Sequence, residues 1–360
     1  MKKMKLPALL LAFALLFTLT ACRSSGDDPS GAPSGGASQA LPSQEPSAEV
    51  SEDVHVTPYG PVHLAVLSGP TGVGAAQLLN AVDNDPASLQ TSYEYTIAAD
   101  NSELVAGLSN GKIDIATVAS NVAVNLYNKT DGGVRIIAVG TLGVLHILEG
   151  NGTSNINSMA DLVGKTLYAA GQGANPEYVL RYLLEENGLE IGKDVEVVFA
   201  DAAEISAKLL SGEIECAMLP VPAATAAIAK GGGQVRQAVD MTEAWDALEN
   251  GSRLIMTAVV ARSELLETYP DYVEHFLADY EASINYVNSN VDEAAEWVAN
   301  YGITPSAAIA RLAIPQCHLA FISGADMEKN MSGYYSLLYA VDPASVGGAL
   351  PGGGIYWTRN

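Results

Sequence analysis

The chain repeats itself at a spacing of 101 residues, and this repeat limits its possible folds more than any other feature. A shift of 101 positions without a gap aligns Asp100 with Asp201 and Gly111 with Gly212. Helix–glycine–strand units can resemble one another by chance, but an ungapped run of identities favours two structurally equivalent lobes. Further identical pairs in the same register are Ala99 and Ala200, Glu103 and Glu204, Ala106 and Ala207, Leu108 and Leu209, Ile113 and Ile214, Ala116 and Ala217, and Ala123 and Ala224.

Strand-like and helix-like segments alternate in both copies of the repeat. Because β-rich runs alternate with apolar residues at helical spacing, we predict an α/β fold with a mostly parallel sheet in each lobe. In the first copy the predicted strands are His63–Leu67, Tyr93–Ala98, Ile113–Val118 and Val134–Val139, and the predicted helices are Val73–Val82, Ser102–Leu108 and Val122–Tyr127. In the second copy the strands are Leu167–Ala170, Val195–Phe199 and Ile214–Leu219, and the helices are Glu177–Glu186, Glu204–Leu210 and Ala223–Ala229.

The two lobes are expected to share one central cleft. Ligands of open α/β sheets bind outside the carboxyl ends of the strands, so two facing lobes place both sets of strand ends on the same cleft. Leu142–Leu148 and Leu254–Arg262 are the predicted strands after the two crossings, and a helical tail from Pro270 to Ala340 returns to the first lobe. Two crossing strands form a hinge that can close on a ligand. The predicted lobes are 59–141 with 257–360, and 142–256.

Residues 1–21 are predicted to be a secretory signal peptide. Three lysines precede the apolar run Leu6–Leu19, which is shorter than a typical membrane span. The segment from Leu19 to Cys22 matches a bacterial lipobox, in which Cys22 becomes the acylated first residue of the mature protein. The alternative is an ordinary signal peptide, in which Cys22 would be incidental.

Residues 22–58 are rich in Ser, Gly, Pro and acidic residues, and they show no apolar periodicity. Such a composition buries too little surface to offset the entropy of ordering, so the segment is predicted to be a lipidated, disordered tether. No later stretch is long and apolar enough to span a bilayer. We therefore expect a globular body that is held at the outer face of the cell membrane by acylated Cys22.

The charge of the chain argues against nucleic-acid binding. It has 18 basic and 41 acidic residues, for a formal net charge of −23, whereas phosphate neutralisation requires basic surfaces. Besides Cys22, only Cys216 and Cys317 are present. Each has apolar neighbours, so we expect two buried free thiols rather than a disulfide.

The sequence predicts no catalytic residue, cofactor or metal site. Ser109–Lys112 spells S-x-x-K, but it lies in a predicted turn and lacks the partner motifs of serine penicilloyl enzymes. Gly164–Thr166 lacks the earlier glycine of a phosphate-binding loop, because position 159 is Met159. The histidines do not have metal-ligand spacing: His55, His63, His146, His275 and His318.

Nine short motifs are spread along nearly all of residues 60–357, at 68–74, 111–116, 141–145, 161–166, 171–177, 219–222, 276–280, 313–317 and 346–351. These motifs resemble the nitrate/sulfonate/taurine/thiamine-precursor branch of ABC-transporter substrate-binding lipoproteins. The resemblance implies a two-lobed type II periplasmic-binding-protein fold with a central cleft and two crossing strands. It also implies a monomeric extracytoplasmic protein that traps a small organic or oxyanion solute by hinge closure for an ABC permease and its ATPase.

The candidate ligand-binding residues lie in loops and helix starts that follow cleft-facing strand ends. Glycines in such loops let the backbone approach a ligand, and helix starts present free N–H groups, although each position also has a purely structural interpretation. The candidates are Ser68, Gly69, Thr71, Gly72, Ser120, Asn121, Thr141, Gly171, Gly173, Asn175, Pro220 and Pro222. Trp245, in a segment predicted to be irregular, either stacks on a flat ligand or packs in the core.

Three points leave the solute and the role open. None of the predicted loop tips carries Arg or Lys, which favours a neutral or cationic solute, although helix N-termini can also hold an anion. Relatives often carry a histidine motif near the fourth helix, where this chain has Asp201–Glu204, so that contact cannot be transferred. The alternative role is a solute-sensing receptor for a membrane signalling partner.

Overall fold

The computed structural model describes residues 59–358. The predicted signal peptide, Cys22 and the tether lie outside the described residues. The strands, in chain order, are β1 (Val62–Leu67), β2 (Tyr93–Ala98), β3 (Ile115–Ala119), β4 (Val134–Thr141), β5 (Leu145–Glu149), β6 (Thr166–Ala169), β7 (Glu196–Phe199), β8 (Cys216–Pro220), β9 (Arg236–Asp240), β10 (Thr257–Arg262) and β11 (Leu319–Ile322).

Helices connect these strands and cover the sheets. They are α1 (Pro70–Val73), α2 (Ala76–Asn84), α3 (Asn101–Ser109), α4 (Ser120–Lys129), α5 (Asn175–Glu186), α6 (Ala202–Ser211), α7 (Ala223–Lys230), α8 (Met241–Asp246), α9 (Ser263–Thr268), α10 (Pro270–Ser289), α11 (Val291–Asn300), α12 (Ala307–Ala313) and α13 (Gly324–Val341). None of the helices within residues 59–358 is long and apolar enough to cross a membrane.

The strands form two sheets with the same internal order. The first sheet has the order β11-β4-β10-β3-β1-β2, and the second, read from the matching edge, has the order β9-β5-β8-β6-β7. The five strands of the second sheet correspond in turn to β4, β10, β3, β1 and β2, and β11 is an additional edge strand of the first sheet. In the first sheet, β1 pairs in parallel with β2 and β3, and in the second β6 pairs in parallel with β7 and β8. The copies of the sequence repeat therefore build equivalent sheets, in which β3 and β8 occupy the same place.

In each sheet one antiparallel strand is inserted between two strands that run parallel to each other, and the first sheet also has antiparallel β11 at its edge. In the first sheet β10 lies antiparallel between β3 and β4, and in the second β5 lies antiparallel between β8 and β9. Both sheets are therefore mixed, although β1, β2, β3 and β4 run in one direction in the first sheet and β6, β7, β8 and β9 do so in the second, as expected for mostly parallel sheets. The physical reason is the crossing: a chain that arrives from the other sheet enters at the cleft edge, where the parallel strands end, and must run in the opposite direction.

The crossings differ in length. Only residues 142–144 separate β4 from β5, whereas residues 241–256, including α8, separate β9 from β10. Asp240 ends β9 and caps α8, because its carboxylate accepts hydrogen bonds from the amides of Thr242 and Glu243. Asp100 caps α3 in the same way, which turns the chain sharply from strand to helix at the cleft edge.

Two predicted elements differ from the structure. The expected helix Val73–Val82 is interrupted, since α1 ends at Val73 and α2 begins at Ala76. Gly74 lies between these two helices, and a side chain there would meet Ile284 and Tyr280 of α10. Helix α10 therefore packs closely against the backbone at the point where the predicted helix is interrupted. The expected helical tail contains a strand, because β11 pairs with β4 at the edge of the first sheet.

Trp245 was predicted to lie in an irregular segment, and this was wrong, because it lies in α8. Its side chain is fully buried, with ring centroids 4.6 Å from Tyr182 and 5.5 Å from Tyr334. The indole Nε1–H donates to the hydroxyl of Ser252 at 3.2 Å. Trp245 is therefore a core residue that joins α5, α8 and α13, and it leaves no face free for stacking on a ligand.

A cavity lined from both sheets

A cavity of about 440 Å³ lies where residues that follow strands of both sheets meet. From the first sheet come the ends of β3 and β4 and the first turn of α4; from the second come the end of β8 and the loop before α5. The volume falls within the usual range for small-molecule sites. The lining residues are Pro70, Thr71, Asn101, Ala119, Asn121, Val122, Asn125, Thr141, Val144, Gly173, Ala174, Asn175, Pro176, Pro220, Met256 and Thr257.

The strand directions explain why these residues meet. Ala119, Thr141 and Pro220 are the last residues of β3, β4 and β8. Thr257 is the first residue of β10, and because β10 runs antiparallel, its start lies at the edge where β3 and β4 end. The cavity thus occupies the position in which open α/β sheets bind ligands.

Three buried polar side chains in the cavity wall have no hydrogen-bond partner. Asn121 Oδ1, Thr141 Oγ1 and Thr257 Oγ1 all lack one, although the residues are only 7%, 0% and 0% exposed. A buried polar atom without a partner costs about 1–3 kcal/mol. All three residues line one cavity, and their unpaired groups are buried in its wall.

A neighbouring buried network is fully paired instead. The Asn175 amide Nδ2 donates to Ser120 Oγ at 3.0 Å, and Tyr334 OH donates to Asn175 Oδ1 at 2.8 Å. Ser120 Oγ donates in turn to the carbonyl of Ile255 at 2.7 Å, and Tyr335 OH donates to the carbonyl of Ser120 at 2.7 Å. This network links α4, α5, α13 and the return crossing, and it holds the wall of the cavity in place.

The cavity wall carries no charged side chain among its lining residues. Its polar groups are amides, hydroxyls and the backbone, and the first turns of α4 and α5 contribute amides that have no acceptor within their own helix. The wall can therefore donate and accept hydrogen bonds to a solute, but it offers no side-chain counter-ion.

Six predicted site residues line this cavity and six do not. The lining residues are Thr71, Asn121, Thr141, Gly173, Asn175 and Pro220, and those outside the lining are Ser68, Gly69, Gly72, Ser120, Gly171 and Pro222. Gly72 packs so tightly on β1 that an added Cβ would clash with the Leu67 carbonyl oxygen. Gly171 lines a separate depression together with Asp201 and Glu204. Ligand contact by any of the twelve stays a prediction.

Sequence reasoning missed several lining residues, of which Thr257 has the strongest chemistry. Thr257 begins the strand that enters the first sheet after the return crossing, and its position opposite Thr141 follows only from the strand register. The other missed residues are Pro70, Asn101, Ala119, Val122, Asn125, Val144, Ala174, Pro176 and Met256. Their common signal is a position at a strand end, in a loop next to a strand or in the first turns of the helix that follows it.

Cys216 and Cys317 are free and buried, as predicted. Burial raises the pKa of each thiol to about 12, so both stay protonated at neutral pH. In residues 59–358 no group of three or more His, Cys, Asp or Glu side chains is arranged to hold a metal ion.

Two sheets of equivalent order, each with an antiparallel strand from the other half of the chain, and a cavity lined from both are the features of the two-lobed type II periplasmic-binding-protein fold. A protein-family model described as NMT1/THI5 like matches residues 94–294. The chain therefore belongs to the NMT1/THI5-like family. A search of curated proteins found no match.

Solved structures share the fold. An ABC transporter protein from Parabacteroides distasonis is 23% identical, with a TM-score of 0.70 over 83% of this chain and 99% of that chain. The periplasmic aliphatic sulphonate binding protein SsuA from Escherichia coli is 16% identical, with a TM-score of 0.65 over 83% and 92%. The alkanesulfonate-binding protein SsuA from Xanthomonas axonopodis pv. citri, bound to MOPS, is 15% identical, with a TM-score of 0.60 over 83% and 98%. At these identities the likeness is one of fold.

Proposed function

We propose that this protein is the solute-binding component of an ABC importer and that it binds one small molecule in the cavity between its two sheets. The observation that carries the proposal is the cavity lined from both sheets, whose wall holds three unpartnered polar groups on Asn121, Thr141 and Thr257. A fold that leaves three such groups around one cavity loses stability unless a bound molecule pairs with them. The family and the names of the similar proteins support the same role.

Binding is proposed to close a hinge at the two crossings. The short crossing after Thr141 and the long crossing before Thr257 both meet the cavity wall. A solute that bonds to residues at these points favours the arrangement in which both lobes contact it. No residue in the site takes a catalytic role or holds a cofactor, and the alternative role as a sensor has no observation in its favour.

The proposed place of work is the outer face of the cell membrane. Acylated Cys22 would anchor the chain, and residues 23–58 would let the binding domain reach its partners. These partners are an ABC permease and its ATPase, which the protein serves as a monomer. This part of the proposal rests on the signal and lipobox pattern of residues 1–22.

A capture experiment tests the proposed function. The full-length protein in detergent is incubated with the small-molecule fraction of a cell extract and washed, and the molecules released on denaturation are identified by mass spectrometry. We expect one solute to be retained at near one molecule per chain and to be lost in Asn121→Leu. Asn84→Leu, on the exposed end of α2, is the matched control and should retain it. Equal retention by wild type and Asn121→Leu, or no retained solute, would contradict the proposal.

A further inference from the structure

We infer that the solute is elongated: its head group lies in the cavity between the two sheets, and a hydrocarbon tail runs along a groove between α3 and α4. This inference rests on the proposed function and assigns it a class of ligand. The groove has a volume of about 550 Å³. Its lining residues are Asn101, Ser102, Val105, Ala106, Val122, Asn125, Leu126, Lys129 and Ala344.

The first step concerns the connection between the groove and the cavity. Asn101, Val122 and Asn125 line both, and each is only partly buried, so their surfaces can contact a molecule. Asn101 Oδ1 accepts a hydrogen bond from the Ala119 amide at 3.2 Å. Asn125 Nδ2 donates to the Asn121 carbonyl at 2.8 Å, so both side chains at this boundary have fixed positions. A solute that extends from the cavity past these residues enters the groove.

The second step concerns the chemistry of the groove. The lining residues of α4 recur at helical spacing and form one face, which extends about 10 Å from Val122 to Lys129 at about 1.5 Å per residue. Val105 and Ala106 of α3 line the groove as well, and both keep surface open to solvent. Lys129 is the one charged residue of the lining. A hydrocarbon tail suits this groove, because each methylene group that it buries raises affinity by up to about fourfold.

The third step is a comparison with the other copy of the repeat. Helices α6 and α7 of the second lobe correspond to α3 and α4, and they pack directly against each other. Small side chains on α7 allow this close approach, since Ala223 and Ala227 stand at the positions of Val122 and Leu126. The larger side chains of α4 border the groove instead. The repeat by itself therefore does not account for the groove. The head group is enclosed by both lobes, whereas the tail contacts the first lobe.

A tryptophan in the groove tests the inference, and the repeat supplies its matched control. Ala106 lines the groove on the exposed surface of α3, and its identical repeat mate Ala207 is exposed on α6. Ala106→Trp fills the groove, whereas Ala207→Trp places the same side chain on the other lobe with the same cost in helix propensity. Both variants should therefore unfold at the same urea concentration.

The small-molecule fraction of a cell extract is the probe. Full-length wild type and both variants in detergent are incubated with it, washed and denatured, and the released molecules are identified by mass spectrometry. We expect wild type and Ala207→Trp to retain the same molecule, with a hydrocarbon chain of several carbons on its head group. Its dissociation constant, measured by calorimetric titration, should be at least about tenfold larger for Ala106→Trp, because the tail loses several buried methylene groups.

Two results would overturn the inference and leave the proposed function standing. One is a compact retained molecule without such a chain, and the other is an equal dissociation constant for wild type and Ala106→Trp, which would assign the groove to another occupant. An equal loss of affinity in both tryptophan variants would also overturn it, because the effect would not depend on the groove. Failure of wild type to retain any molecule contradicts the proposed function itself.

Discussion

Thr141 and Thr257 face each other across neighbouring antiparallel strands, β4 and β10, and both hydroxyls are buried in the cavity wall without a partner. Thr141 is the last residue before the chain leaves the first sheet, and Thr257 is the first residue after it returns. The two crossings therefore meet at one pair of side chains. A solute bound to this pair contacts both points at which the lobes are connected.

The first prediction concerns the stability of the solute-free protein. Thr141→Val and Thr257→Val keep the shape of the side chain and remove a hydroxyl that has no partner, so each is expected to leave the free energy of unfolding unchanged or to raise it by up to about 1 kcal/mol. Urea unfolding measures the change. The control is Thr117→Val, because Thr117 Oγ1 accepts a hydrogen bond from the buried Leu67 amide at 3.2 Å. It should lose about 1–3 kcal/mol. Equal losses in all three variants would be inconsistent with this account.

The second prediction uses the repeat to compare a buried and an exposed acid. Asp114 is fully buried and pairs with Arg262 at 2.9 Å, whereas its repeat equivalent Glu215 pairs with Lys165 at 3.3 Å on the surface. Burial alone would raise the pKa of Asp114, but hydrogen bonds from the His63 amide and from Arg262 outweigh it and lower the pKa. Asp114→Asn is expected to cost roughly 3 kcal/mol in the free energy of unfolding.

The matched variant for this comparison is Glu215→Gln. A half-exposed ion pair contributes at most about 1 kcal/mol, so the loss should stay below that value. Both variants are measured by urea unfolding at neutral pH and moderate salt. A loss of similar size in the two variants would show that burial does not distinguish the repeat mates.

The third prediction concerns acid stability. His146 in β5 is 1% exposed, and neither ring nitrogen has a hydrogen-bond partner. Burial lowers its pKa from the ordinary value of 6.5, Asp240 at 3.7 Å opposes this shift, and His318 adds to it. Below about pH 6.5 the unfolded chain therefore binds a proton at His146, whereas the folded chain does not until a lower pH. The free energy of unfolding falls as the pH falls through this range, and the contribution of His146 is constant at higher pH.

His146→Leu tests this assignment, because it removes the titrating ring and keeps the site apolar. Between about pH 6.5 and 5, the free energy of unfolding should depend less steeply on pH in this variant than in wild type. The difference in slope corresponds to at most about one fewer proton taken up on unfolding. Urea unfolding at a series of pH values gives the slope. An unchanged slope would remove His146 from the groups that set acid stability.

The fourth prediction concerns the anchor. Cys22→Ser removes the thiol that is acylated under the lipobox interpretation. Once the signal peptide is cleaved, a chain without acyl chains has no stable membrane anchor. The variant is expected in the soluble extracytoplasmic fraction, whereas wild type and Cys317→Ser stay with the membrane. Fractionation and immunoblotting measure the distribution. Retention of Cys22→Ser in the membrane fraction would defeat the lipobox interpretation.

The topology of the binding domain could be predicted from sequence because the repeat and the alternation of strands and helices carry it. The 101-residue shift places β3 onto β8 residue for residue, from Ile115 and Cys216 to Ala119 and Pro220. The insertion of β5 and β10 into the middle of the opposite sheet could not be predicted in the same way. It depends on pairing between segments far apart in the chain, which local patterns do not record.

The candidate site was predicted less completely, for a related reason. Loops and helix starts after strands were recognisable, and Asn121 and Thr141 were found there. Thr257 was missed because it starts an antiparallel strand, where sequence gives no sign of which sheet edge it reaches. Ser120 was predicted to contact the ligand, and its hydrogen bonds within the protein were not foreseen. Its partners, Asn175 and the carbonyl of Ile255, are distant in sequence.

The most direct test is the affinity of the captured solute for the double variant Thr141→Val with Thr257→Val, measured by calorimetric titration against wild type. Two lost hydrogen bonds of about 1 kcal/mol each predict binding about tenfold to thirtyfold weaker, in a protein that unfolds at the same or a higher urea concentration. Unchanged affinity in the double variant would contradict the assignment of the cavity as the binding site.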